Sequence, residues 1–171
     1  KNDNGIWQAY IPEVNEGKWY FEQLFINGKR AVRARHPNKF YHYITRKISD
    51  ASNSTRFIAD HNDSVLINQT NKKPLNDVTA VFYHSWTISR NRVDSVCENN
   101  NVITLTGPAG RPFLEAPYQR YHLENFLEAL DECGEWFLSR NGILYYKPFE
   151  NEDMNSATVV APVIDRFIEL K

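Results

Sequence analysis

Two Asn-Gly pairs, Asn27-Gly28 and Asn141-Gly142, constrain this chain more than any other feature. Each lies between runs rich in β-branched and aromatic residues, and both residue types tolerate the positive φ of a tight type I′ hairpin turn. A two-residue loop at Asn27-Gly28 sets Ile26 opposite Lys29, and the register follows outward. Phe21, Phe25, Val32 and Ala34 then share one face. Glu22 falls opposite Arg33 and Tyr20 opposite Arg35, both favourable cross-strand pairs. The same loop at Asn141-Gly142 puts Trp136, Leu138, Ile143 and Tyr145 on one face, with Phe137, Leu144 and Tyr146 on the other. Both faces are apolar, so this hairpin is expected to be sandwiched. A one-residue change in loop length would shift the pairing.

Val78 to Ile88 reads as the longest β-rich run, with Val78, Ala80, Phe82, His84, Trp86 and Ile88 alternating against their neighbours. Asn101 to Thr106 is a further strand, with Ile6 to Ile11 and Thr55 to Ala59 as weaker ones. Leu123, Phe126, Leu127 and Leu130 recur at i, i+3, i+4 and i+7, which predicts one short helix over Leu123 to Leu130. The Asn- and Ser-rich stretches 50–55, 60–64 and 68–77 read as loops. The expected fold class is therefore mainly β, an antiparallel β-sandwich or barrel-like domain with one short helix. The expected organisation is a single domain over 1–171.

A formal net charge of -1 on 171 residues argues against nucleic acid or an anionic membrane as partner. Basic residues gather between Lys18 and Lys47 and acidic ones between Glu124 and Asp153; mutual neutralisation is the reading preferred over a basic ligand face. Cys97 and Cys133 are too few for a disulfide framework, and whether they pair stays open. No phosphate loop, nucleophile elbow or zinc-helix motif is present, and His36, His42, His61, His84 and His122 match no metal template. No metal and no cofactor are expected. Asp60-His61-Asn62-Asp63 offers oxygen ligands but lacks the glycine and terminal glutamate of a calcium loop, so a turn is preferred. Among Glu13, Glu22, Glu115, Asp131 and Glu135, no pair is singled out as a glycosidase acid and base. Asn53, Asn62 and Asn68 stand in glycosylation sequons, which chance explains as well in a chain this rich in asparagine. Trp19, Trp86 and Trp136 offer a stacking platform for sugar rings. Trp136 and Trp86, on strand faces with Leu138 and Phe82, are expected in the core instead, and His84 is expected to be a hydrogen-bonded structural histidine.

Residues 21–38, FEQLFINGKRAVRARHPN, and 131–148, DECGEWFLSRNGILYYKP, carry long ordered phrases. Gln23 to Gly28, Arg33, Ala34, Arg35, Pro37 and Asn38 form the first phrase. The second comprises Gly134, Glu135, Trp136, Leu138, Gly142, Leu144, Tyr145, Tyr146 and Pro148. The chain resembles the domain inserted into right-handed parallel β-helix proteins of the glycoside hydrolase family 141 type. Arg120-Tyr121, Glu124-Asn125 and Ala161-Pro162 extend the resemblance along nearly the whole chain. Cys133 departs from it, standing where the family often has proline.

The resemblance implies a bacterial, secreted or periplasmic polysaccharide-degrading enzyme, with fucosidase and xylanase activities both known in the family. It places the catalytic acids on a β-helix outside this chain, so no catalytic residue is carried over. A start at Lys1 fits a piece of such a protein, and residues 160–171 are expected to return to the helical coils. The expectation is a non-catalytic inserted domain that shapes or caps the cleft of a β-helix hydrolase acting on plant or host polysaccharide. The parent β-helix is its expected partner. The alternatives are an independent carbohydrate-binding module and a purely structural or interaction domain. If the chain touches carbohydrate, Arg33, Arg35, Asn38 and Trp86 are the expected contacts.

Overall fold

The computed structural model describes residues 5–48, 54–70, 75, 77–115 and 117–164. In chain order the first strands are β1 (Trp7–Tyr10), β2 (Phe25–Ile26), β3 (Lys29–Arg30), β4 (Val32–Arg33), β5 (Arg35–His36), β6 (His42–Tyr43), β7 (Arg46–Lys47) and β8 (Arg56–Ile58). Then come β9 (Thr79–Tyr83), β10 (Ile88–Cys97), β11 (Val102–Leu105), β12 (Arg120–Glu124), β13 (Glu135–Leu138), β14 (Ile143–Lys147) and β15 (Val159–Val160). A single turn, α1 (Pro12–Asn15), follows β1, and a nine-residue helix, α2 (His61–Gln69), follows β8. The class is mainly β, in several sheets rather than a closed barrel. The chain divides into two compact units, one of residues 1–34 and 130–171, the other of 35–129.

In the first unit a four-stranded sheet runs in the order β1-β14-β13-β4, and a smaller one in the order β15-β2-β3. The Asn27-Gly28 hairpin forms as the sequence predicts. Ile26 pairs with Lys29 and Phe25 with Arg30, and both loop residues take positive φ, 50° and 76°. The outward register stops early. Ala31 still donates to the Leu24 carbonyl, but β4 then turns away to pair in parallel with β13. Glu22 keeps an ion pair with Arg33 at 3.9 Å. Tyr20 lies outside the strands, and the strand partner of Arg35 is Glu124 on β12. The Tyr20 hydroxyl donates instead to the Leu138 carbonyl, and the Arg140 guanidinium sits 3.7 Å over its ring.

The second hairpin corrects its predicted register by one residue. Trp136 pairs with Tyr146, and Leu138 with Leu144, because the loop holds three residues, Arg140-Asn141-Gly142. Gly142, with φ of 80°, donates its N–H to the Ser139 carbonyl, and Ser139 pairs with Ile143. The face of β14 is therefore exchanged relative to the two-residue reading. Trp136, Leu138, Leu144 and Tyr146 point inward with Val14, Phe21, Leu24 and Ile26 to form one apolar core. The sandwiched placement holds for β13, buried at every position, whereas β14 alternates.

In the second unit, seven antiparallel strands follow the order β5-β12-β9-β10-β11-β8-β7, and β6 pairs with β12 beside β5. Segment 42–47 thus bonds to β12 at one end and to β8 at the other. Phe57, Phe82, Phe113 and Tyr121 pack edge-on or tilted, with ring centroids 4.8–6.3 Å apart. Each fully buried Phe contributes about 1.5–3 kcal/mol in area terms.

Three further expectations are corrected. Val78 to Ile88 is not one strand: β9 stops at Tyr83, and Ser85-Trp86 forms the tip of a hairpin into β10. Trp86 is accordingly 94% exposed rather than core. The helix predicted over Leu123 to Leu130 is instead the end of β12 and a 3-10 turn at Leu127–Ala129. Helix α2 lies where loops were expected, capped by the Asp60 carboxylate, which accepts from the Asn62 N–H at 2.9 Å. That cap replaces the predicted turn at 60–63. Cys97 and Cys133 are both free and exposed. Asn53, with the loops expected at 50–53, at 71–74 and at Asn76, lies outside the described residues.

Candidate functional site

The four residues that the sequence marks for ligand contact are set differently. Arg33, on β4, has a side chain only 9% exposed and lies 5.8 Å over the Trp136 ring. Arg35, on β5, clamps the following loop: its Nε donates to the Pro37 carbonyl at 3.0 Å and its Nη2 to the Phe40 carbonyl at 2.6 Å. That loop contains Asn38 and holds Phe40 at φ of 62°, a conformation disfavoured for a bulky side chain, with the residue 81% exposed. Trp86 projects from the β9–β10 tip. Arg35, Asn38 and Trp86 belong to the second unit, Arg33 to the first.

The alternation of β12 builds a second face. Tyr121 and Leu123 point into the core, so Arg120, His122 and Glu124 point the other way. Cross-strand pairing sets Tyr83 beside Arg120, and Arg35 beside Glu124. The Arg120 guanidinium lies 5.0 Å over the Tyr41 ring and 6.0 Å over that of Tyr83. Tyr43 stands edge-on to Tyr41. Arg120 and the Tyr43 hydroxyl lower the Tyr41 pKa. Beside them Glu124 receives Arg90 at 2.7 Å and His122 at 3.3 Å, while Tyr83 hydroxyl and His122 Nδ1 are 3.1 Å apart. Burial lowers the His122 pKa against the opposing pull of Glu124. Aromatic rings and charged hydrogen-bonding heads on one sheet face suit a polar ligand with apolar ring faces.

A separate polar cluster forms behind the β12 edge. The Asp63 carboxylate, on the first turn of α2, is fully buried. His42 Nδ1 lies 3.0 and 2.9 Å from its two oxygens, and His36 Nε2 lies 3.4 Å from Oδ1. Tyr121 donates its hydroxyl to Oδ2 and accepts from the Asp60 N–H at 3.1 Å. The donor atoms of His36, His42 and Asp63 all lie within 4.8 Å of one another, so these residues could hold a metal ion. Sequence reasoning missed this cluster because its members come from β5, β6 and α2 at irregular spacing.

Three of the candidate acids named in the sequence are held by partners of their own. Glu115 pairs with Lys47, Glu22 with Arg33, and buried Glu135 accepts from the Asp131 and Glu132 backbone N–H groups. His84 is buried, with Nε2 2.8 Å from the Ser89 hydroxyl, as expected of a structural histidine. In the first unit a groove of about 480 Å³ is lined in part by Arg30, Val32, Tyr146, Phe149 and Glu152.

A family model described as "GH141 insertion domain" matches residues 4–149. A solved structure named "Glycoside hydrolase" is similar in fold, with a TM-score of 0.71 at 23% identity over 96% of this chain. The chain spans about 30% of the length of that structure. No curated protein matches.

Proposed function

The chain belongs to the family of GH141 insertion domains, and from that membership we propose that it is the non-catalytic accessory part of a larger glycoside hydrolase. It sits on a right-handed parallel β-helix of a secreted bacterial enzyme and contacts polysaccharide at the rim of the cleft. The observation that carries this reading is the face around Arg120, where Tyr41, Tyr43 and Tyr83 surround a guanidinium. Sugar rings offer apolar C–H faces to aromatic side chains and hydroxyls to charged ones, which is the chemistry such a face provides. Trp86, at the tip of the hairpin that carries Tyr83, adds an exposed stacking surface. Seating on a larger body is supported by Val159, Val160, Val163 and Ile164, consecutive or nearly so and all exposed.

The test uses the full-length hydrolase. Tyr41→Ala and Trp86→Ala each raise KM about tenfold while kcat holds, since about 1.4 kcal/mol of uniform binding is lost. Unchanged KM in correctly folded variants overturns the reading. Calorimetry of the lone chain against pectic, xylan and fucosylated glycans separates it from an independent binding module, which alone would bind tightly.

A further inference from the structure

We propose that His36, His42 and Asp63 form a binding site for a divalent transition-metal ion, zinc by their donor set. Three donors converge from three elements. His36 is fixed on β5 by pairing with Leu123, His42 on β6 by pairing with Tyr121, and Asp63 by the capped first turn of α2. The two imidazole nitrogens lie 3.4 and 3.0 Å from Asp63 Oδ1. Zinc bonds of about 2.0–2.2 Å in tetrahedral geometry set neighbouring donors roughly 3.4 Å apart. The His36 spacing already meets this, His42 need only ease back slightly from Asp63, and all three donor atoms lie within 4.8 Å of one another.

The electrostatics favour a cation. Asp63 is fully buried, and among the described residues these imidazoles are the only basic groups within 4.0 Å of its carboxylate. A buried carboxylate is costly without a compensating charge. Two imidazoles and one carboxylate suit zinc rather than calcium or magnesium, which prefer oxygen. Tyr121 supplies the outer support such sites use, orienting the carboxylate through Oδ2 while itself held by the Asp60 N–H. The histidine side chains are 28% and 31% exposed, which gives an ion a path in and leaves a coordination position for water. Bound metal would tie the 36–42 loop to α2.

The experiment titrates the chelator-treated 171-residue chain with zinc chloride by calorimetry and with cobalt(II) by visible absorption. The expected result is one ion per chain and a ligand-field spectrum of low-symmetry cobalt. His36→Ala and His42→Ala each weaken zinc at least a hundredfold and abolish that spectrum. Tyr121→Phe weakens zinc about tenfold, as loss of an outer-shell partner does. Circular dichroism verifies folding, and His36→Gln replaces any alanine variant that fails it. A folded chain that takes up neither ion overturns the proposal. So does uptake whose affinity and spectrum are unchanged in the histidine variants.

Discussion

Gly142→Ala tests the register of the second hairpin, with Gly28→Ala as its internal control. Both glycines have positive φ, 80° and 76°, so alanine at either meets the left-handed penalty of about 1–2 kcal/mol. Stiffening of the unfolded chain returns about 0.4–1 kcal/mol, leaving a net cost near 1 kcal/mol. The surroundings then separate the two. A Cβ at Gly28 meets nothing within 4 Å, whereas one at Gly142 lies 2.5 Å from the Ile11 carbonyl oxygen and 3.2 Å from the Asn15 N. Those neighbours are backbone, and Ile11 is itself tied to the loop by its N–H, which donates to the Gly142 carbonyl at 2.7 Å. Overpacking adds about 1–3 kcal/mol, so Gly142→Ala should cost about 2–4 kcal/mol in all. At about 2–4 °C per kcal/mol for a chain of this size, a 2 kcal/mol difference separates the melting points by roughly 4–8 °C. Tryptophan fluorescence follows the relevant unit, since Trp7, Trp19 and Trp136 lie in it and only Trp86 does not. Reversible transitions whose midpoints agree within about 2 °C would refute the three-residue loop and its contact with Ile11.

Tyr121→Phe removes a hydroxyl that donates to buried Asp63 and accepts from Asp60, and should destabilise the chelator-treated chain by about 2–4 kcal/mol in urea unfolding. A loss below about 1 kcal/mol would show that the hydroxyl is dispensable. Burial holds the His122 pKa below the usual value of about 6.5, so its contribution to stability is complete above that pH and is lost as pH falls through the lowered value. An NMR titration of the folded chain with a His122 midpoint at or above about 6.5 would contradict this.

Local chemistry was readable in the sequence where it acts alone. Asn27-Gly28 admits one tight turn, and it forms. Asn141-Gly142 fits both a two-residue loop and a three-residue loop ending in a left-handed glycine, and a contact with distant Ile11 accompanies the second. The parallel pairing of β4 with β13 joins segments about a hundred residues apart, which no local pattern reports. At Leu123 to Leu130 two periods overlap. Tyr121 and Leu123 also satisfy the alternation of a strand, and pairing with β9 decides between them. Helix α2 has too few periodic apolar residues to announce itself. Its signal was Asp60 as N-cap with acidic Asp63 three residues on. Of the candidate site, Arg35 and Trp86 were visible as residue types, while the ring of tyrosines about Arg120 arises only through cross-strand register.

The alternation of β12 has a consequence for folding fidelity. Slipping this strand by one residue would drive Arg120, His122 and Glu124 among Phe57, Phe82 and Phe113 and take Tyr121 and Leu123 out of that core. Burying two charged heads without their partners costs several kcal/mol apiece, comparable with the whole net stability of about 5–15 kcal/mol expected of a domain. A misaligned copy is therefore not a near-native trap in which molecules linger, but a state that dissolves and tries again. The strand thus proofreads its own alignment.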